Sequence, residues 1–248
     1  GAAMGIGLAA CKKLAGCGLK VAMADLPSDD LDNAAAAVRV LAADPADILV
    51  VPTDVGDEAA IYALRDQVLA DFGAVDFLMN NAVSRFSGDI LADISDWRRA
   101  LDINLWGVIN GVHAFLPGMM DKVSPGVIVN VGSKQGITNP PGNVIYNLSK
   151  AALNSFTESL QHQLRSQENN NITAHLLVPG WTTTGNRDHN PGAWLPEQVV
   201  ERLMTGVENN DFYIVCPDNE VTAEMDRKRI LWGAGDITEN RPPLSRWQ

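Results

Sequence analysis

Tyr146 and Lys150 stand four residues apart in the stretch YNLSK. On a helix that spacing puts a phenol and an ammonium on one face, one turn apart. Such a pair can move a proton, because a cation beside a phenol favours its ionised form. The pair alone is only suggestive, since a Tyr-x-x-x-Lys arises readily by chance. Other polar residues gather around it. Ser133 ends the β-branched stretch PGVIVNVGS, Asn104 lies in NLWG, Asn80-Asn81-Ala82 closes VDFLMNNA, and PGWTTT from Pro179 to Thr184 follows NITAHLLV.

A second feature opens the chain. GAAMGIG places Gly1, Gly5 and Gly7 directly before a helical run. A glycine-rich turn leading into a helix lets backbone approach a pyrophosphate and aims helix N–H groups at it. Asp25 ends the next strand, where a carboxylate can accept hydrogen bonds from both hydroxyls of an adenosine ribose and would repel a 2′-phosphate. The neighbours Met4 and Leu26 offer no positive charge. The pattern points to NAD rather than NADP. The competing reading is that Asp25 caps a turn.

The elements that must position these groups alternate along the chain. IGLAACKKLAGCG is helical in period, KVAMAD is a strand, and SDDLDNAAAAVRVLAA is a helix opening on capping residues. DILVVPTD is a strand, DEAAIYALRDQVLADFG a helix, VDFLMNN a strand, and Ser95 to Met120 a long helical stretch. PGVIVNVGS is a buried strand, YNLSKAALNSFTESLQHQLRSQ a long helix, and NITAHLLVPG a strand. Strands alternating with helices build a parallel sheet covered on both faces. The fold class expected is therefore α/β, a Rossmann-type doubly wound sheet in three layers, with residues 1–248 forming one domain. The glycine turn should follow a central strand, so about ten further residues are expected upstream of Gly1.

Here the sequence resembles the short-chain dehydrogenase/reductase family, essentially from its start to Thr184. The matching pattern is Gly-x-x-x-Gly-Ile-Gly at 1–7, Asp25, Asp54-Val55, Asn80-Asn81-Ala82, Asn104, Ser133, Tyr146, Lys150 and Pro179-Gly180. The resemblance implies a catalytic set of Ser133, Tyr146, Lys150 and Asn104. Tyr146 would be the general acid/base between an alcohol and a ketone. A free phenol has a pKa of about 10, and Lys150 with the oxidised nicotinamide would lower it. Lys150 would also hold the nicotinamide ribose, Ser133 the reacting oxygen, and Asn104 a water leading to Lys150. The implied dinucleotide contacts are Gly1, Met4, Gly5, Ile6, Gly7, Asp25 and Leu26 at the turn. Asp54 and Val55 would meet the adenine, and Asn80, Asn81, Ala82 and Val83 would line the cleft. Asn104, Tyr146, Lys150, Pro179, Gly180, Thr182 and Thr184 would complete the nicotinamide end.

Two departures stand out. Val83 occupies a position where the family usually has glycine, so a Cβ narrows that loop. The usual C-terminal Val-Asp-Gly-Gly strand is absent. DFYIVCPDNEV is read instead as the last strand, 217–248 as an atypical tail, and 181–210 as a substrate lid. The substrate end would be lined by Arg85, Gln135, Asn143, Trp181 and Trp194. The tryptophans there favour an apolar or aromatic substrate, or else they pack a lid.

The bulk numbers bound the rest. With 46% hydrophobic residues the 248-residue chain can bury a core, and a net charge of −11 argues against a nucleic-acid partner. No apolar run reaches membrane-spanning length. The three cysteines Cys11, Cys17 and Cys216 are read as reduced thiols in a cytoplasmic protein. The four histidines show no metal spacing, so no metal is expected. The reading is an NAD-dependent dehydrogenase or reductase of secondary alcohols and ketones. The long helices bearing Asn104 and Tyr146 are expected to join it into a homodimer or homotetramer. A non-catalytic dinucleotide sensor is the main alternative. A cofactor-free lyase or dehalogenase on this fold is a second, and the intact glycines and Lys150 argue against it.

Overall fold

The computed structural model describes residues 1–86, 88–168, 170–185 and 188–247. Every strand is parallel to its neighbour, as alternating strands and helices require. Strands β1 (Val21–Asp25) and β2 (Ile48–Pro52) form one pair. Strands β3 (Phe77–Asn80), β4 (Gly126–Val131), β5 (Ile172–Val178) and β6 (Tyr213–Val215) form a four-stranded sheet in that order. Among the described residues the parallel strands thus fall into two hydrogen-bonded groups. A cavity of about 390 Å³ separates them, lined by Val21, Ala22 and Ala24 of β1 and by Phe77, Leu78 and Met79 of β3.

Helices cover both faces. On one side lie α1 (Gly5–Gly16), α2 (Asp29–Arg39) and α8 (Pro196–Glu208), packed through residues such as Ala15, Ala35 and Leu203. On the other lie α3 (Glu58–Phe72), α5 (Gly107–Met120) and α7 (Val144–Arg165), packed through Ile61, Phe115 and Leu164. Strand β5 is buried along nearly its whole length, which is why ITAHLLV reads as a continuous apolar run rather than an alternating one. Capping follows the sequence signals: the Ser28 hydroxyl accepts the Leu31 amide, and α3 ends on Gly73 in the left-handed conformation.

The long stretch from Ser95 to Met120 is helical but not uniform. Helix α4 (Ile94–Leu101) runs into a π-helical turn at Asp102–Trp106 before α5 begins. Such turns widen a helix locally and often mark functional positions. This one carries Asn104.

The C-terminal third departs most from expectation. Residues 196–208, expected within a lid, form α8, whose Val199, Val200 and Leu203 are buried in the core against α1 and the sheet. Only 181–195 remain as a loop at the cleft, and Asn186 and Arg187 within it lie outside the described residues. The last strand is Tyr213–Val215, because Pro217 cannot donate to a ladder and Asp218 turns the chain away. The expected tail contains a sixteen-residue helix, α9 (Ala223–Thr238), capped by the Thr222 hydroxyl on the Met225 amide.

Buried amides lock the strands that present the site. Asn130 on β4 is fully buried, accepts from Asn80 on β3 at 2.9 Å and donates to Thr157 on α7 at 3.1 Å. Replacing Asn130 with alanine strands both partners in the interior. The expected cost is about 1–3 kcal/mol of unfolding free energy, read from urea titration.

Candidate active site

A cleft of about 990 Å³ opens at the carboxyl ends of the strands. Parallel strands all end on one side, so the loops that follow them converge there. One end holds the glycine turn and Asp25, the other Ser133, Tyr146 and Lys150.

Tyr146 and Lys150 lie in successive turns at the start of α7, which begins after Asn143. Lys150 is 2% exposed and donates from Nζ to the carbonyl of Val131, the last residue of β4, at 2.6 Å. Its Nζ lies 5.9 Å from the centre of the Tyr146 ring. Ser133 follows β4 by two residues, and its Oγ accepts the Gln135 amide at 3.2 Å. The chain then forms the short helix α6 (Gln135–Thr138), which packs hard on α7. A Cβ on Gly136 would stand 2.6 Å from the carbonyl carbon of Lys150, so only glycine allows the Ser133 loop to sit so close.

Among the chain's own groups, burial dominates the electrostatics of this pair. Burial lowers the Lys150 pKa to about 7, helped by the charge of Arg85. A lysine already neutral above that pH brings no charge to bear when a phenol titrates. Burial raises Tyr146 above the usual phenol value, and only the hydrogen bond from Ser133 and the charge of Arg85 work against it. Arg85, on the loop after β3, donates to Thr184 Oγ1 at 3.0 Å and so bridges the two walls of the cleft.

Asn104 is fully buried, behind the cleft lining. Its amide grips the Ser84 backbone from both sides, donating to the carbonyl at 2.9 Å and accepting the amide at 2.7 Å. It also donates to Ser149 Oγ at 3.1 Å. The π-helical turn therefore holds the loop that carries Val83 and Arg85. Asn104 acts there as a clamp.

The other end is built mainly from backbone. Gly5 sits at φ +58°, and a Cβ there would stand 3.0 Å from Thr184 Cγ2. A Cβ on Gly1 would lie 2.7 Å from the Ala82 amide, and one on Gly7 would overlap the Gly1 carbonyl, which also accepts Asn81 Nδ2 at 2.7 Å. Helix α1 has no side-chain cap and no acidic residue in its first turn. A bare backbone cradle, uncapped helix amides and a fixed carboxylate fit a dinucleotide diphosphate and its ribose. Asp25 is held by the Ala3 amide at 2.9 Å and the Leu26 amide at 2.8 Å. These two backbone amides favour its ionised carboxylate, against burial.

Met4, Ile6, Leu26, Asp54, Val55, Asn81, Ala82 and Val83 line this same cleft, as do Pro179, Gly180, Thr182 and Thr184. Gly7 lies behind it, packed on Gly1. Asn80 turns inward to Asn130. Asp54 is paired with Arg99 at 2.7 Å, which pulls its carboxyl down. At the substrate end Arg85, Gln135, Asn143 and Trp181 line the cleft, and the buried Oε1 of Gln135 has no partner among the described residues. Trp194 does not line the cleft. It packs on the core cluster of Ile6, Val131 and Leu177 because its backbone pairs with Trp181 and Thr183. Sequence reasoning missed Arg99 and Lys134, whose partners lie in distant segments, whereas Gly136 was expected beside Gln135 at the substrate end.

The family model described as short chain dehydrogenase matches residues 1–192. An oxidoreductase named SadH from Mycobacterium tuberculosis (strain ATCC 25618 / H37Rv) is 36% identical over 165 residues, covering 66% of this chain and 58% of its own length. The reductase FabG of Staphylococcus aureus (strain MW2), named for 3-oxoacyl groups on acyl carrier protein, is 29% identical over 208 residues, 84% of this chain and 80% of its own. The crystal structure of a short chain dehydrogenase/reductase from Burkholderia phymatum in complex with NAD superposes with a TM-score of 0.88 at 28% identity, covering 98% of this chain and 94% of that one. The chain spans little more than half the length of the first curated relatives it matches.

The lowered Lys150 pKa has a consequence for stability. Between about 7, its folded value, and 10.5, its ordinary value, the unfolded chain binds the proton and the folded protein does not. Stability should therefore rise with pH across that window, by up to about 1.4 kcal/mol per pH unit from this group. Thermal melts of Lys150→Met over the same range should show a shallower rise than the unaltered protein.

Proposed function

From the premise that this chain belongs to the short-chain dehydrogenase family, we propose that it moves hydride between secondary alcohols or their ketones and NAD. The observation that carries this is the convergence of Ser133, Tyr146 and Lys150 with the glycine turn and Asp25 in one cleft. A bound nicotinamide supplies the acceptor or donor of hydride; the chain supplies the proton path and the orientation.

In oxidation the alcohol O–H proton passes to the Tyr146 phenolate while the carbinol hydrogen leaves with its electron pair. In reduction the Tyr146 proton goes to the carbonyl oxygen as carbon gains hydride. Ser133 hydrogen-bonds that oxygen as its charge changes. Lys150, anchored on Val131, orients the ribose, and burial lowers its pKa so that the amine can pass protons. Asn104 holds the loop that lets Arg85 bias the phenol.

A preference for NAD over NADP is supported by the Asp25 carboxylate, fixed by the Ala3 and Leu26 amides, and by its neighbours Met4 and Leu26, which line the cleft without charge. The substrate meets Trp181, Phe86 and Gln135, a lining that suits an apolar or aromatic body carrying one polar group. Trp106 and Leu148, half-exposed beside Asn104 and Tyr146, are offered to a second copy of the chain in a dimer or tetramer. Among the described residues no helix is long and apolar enough to cross a membrane. A cytoplasmic location is the proposal that accords with the buried thiols of Cys11 and Cys216.

Tyr146→Phe should lose at least about a hundredfold in kcat with aromatic or alicyclic secondary alcohols while NADH binding holds. Full activity in that variant would remove the mechanism. Because burial holds the Tyr146 proton on at neutral pH, oxidation should accelerate as pH rises and reduction should be favoured as it falls. Steady-state rates in both directions measure this. Asp25→Asn should shrink the preference for NAD over NADP by roughly tenfold, read from the two KM values.

A further inference from the structure

The Ser133 loop carries a second lysine for which the proton path has no use. The Lys134 side chain is 14% exposed and meets two buried carboxylates, Asp226 at 2.7 Å and Asp218 at 3.4 Å. These three come from distant parts of the chain. Lys134 follows Ser133, Asp218 lies just past β6, and Asp226 is in the first turn of α9. Loss of the lysine would leave two buried carboxylates without a counter-charge, and loss of either carboxylate would remove one of the two ties that the lysine makes.

The cluster reaches the substrate wall directly. Asp218 Oδ2 accepts the Trp181 amide at 3.0 Å, and its Oδ1 accepts Val221 at 2.7 Å and Glu220 at 3.1 Å. Burial works to raise the Asp218 carboxyl, and these amides with Lys134 bring it below its usual range. The Lys134 amide donates to the Pro179 carbonyl at 3.4 Å. Gly180 lies so close that a Cβ would stand 2.6 Å from Asp218 Oδ2 and 2.8 Å from Lys134 Nζ. Helix α9 is thus tied to the residue after Ser133 and to the backbone of Trp181. Farther along the tail, Trp247 Nε1 donates to the Thr138 carbonyl at 3.2 Å, on the end of the helix that follows Lys134. The bonds described for the cluster run to Pro179, Trp181 and the start of α9, and none of them involves the glycine turn or Asp25.

We propose that Lys134 is a positioning residue: through Asp218 and Asp226 it makes helix α9 the brace that fixes Ser133 and Trp181 at the substrate end. The catalytic consequence rests on the oxidoreductase reading; the mechanical one does not.

The test compares Asp226→Asn, Lys134→Met and Lys134→Arg in the full chain. Hydrogen exchange is followed in peptides covering Trp181 and residues 223–238, NADH affinity by fluorescence, and KM and kcat with the best secondary alcohol of the unaltered protein. Asp226→Asn and Lys134→Met should speed exchange in both segments by roughly fivefold or more. They should raise the alcohol KM by roughly fivefold while the NADH Kd stays within about twofold. Lys134→Arg, which keeps the charge and can reach both carboxylates, should restore both values. Exchange around Trp181 that is unchanged in Asp226→Asn overturns the proposal. So does faster exchange with an unchanged KM, or an NADH Kd that rises in step with KM, which marks general loosening. If Lys134→Met fails to fold, Asp226→Asn keeps the cation and the side-chain shape and carries the test. If the unaltered protein binds NADH but turns over no alcohol, the oxidoreductase reading fails, and the exchange data still decide whether α9 braces Trp181.

Discussion

The bond from Lys150 Nζ to the Val131 carbonyl is the constraint from which the geometry of the site follows. A lysine amine taken fully out of water must keep a partner, and here the partner is the end of β4, an inner strand of the four-stranded sheet. That bond sets how α7 lies against β4, and so where Tyr146 stands relative to Ser133. Gly136 tightens the same junction by allowing the Ser133 loop to rest on the backbone of Lys150. The network from Asn80 through Asn130 to Thr157 does the equivalent work deeper in the sheet.

Burial that serves geometry works against charge. It drives Lys150 toward neutrality and Tyr146 toward retaining its proton. The charge that reaches the phenol comes from Arg85, on a loop gripped by Asn104 and bridged to Thr184. Four segments separated in sequence therefore share one electrostatic task. Burial and the Arg85 charge act in opposite directions on the Tyr146 proton.

The two ends of the cleft are held by different physics. At the glycine end close approach of backbone to backbone decides the shape, and side chains are excluded by contact. At the substrate end a buried ion cluster ties Lys134 to Asp218 and Asp226 and thereby fixes Trp181. Backbone packing tolerates little change in shape, whereas an ion cluster can be retuned by altering one helix. Helix α9 lies where the sequence departs from the pattern of its family.

Sequence alone determined what local rules control. The alternation of strands and helices followed from periodicity. The convergence of Asp25, Ser133 and Thr184 at one edge followed from parallel topology, since every parallel strand ends on the same side. The pairing of Tyr146 with Lys150 followed from helical spacing. What sequence could not decide depends on contacts between distant segments. Whether Trp194 lines a cleft or packs the core turned on its backbone pairing with Trp181. Whether residues 196–208 cover a substrate turned on where Val199 and Leu203 find apolar neighbours. The pKa of Lys150 turned on its depth, and the role of Lys134 on two carboxylates more than eighty residues away. Periodicity and turn chemistry act over a few residues, while burial and ion pairing arise only once the chain has folded back on itself.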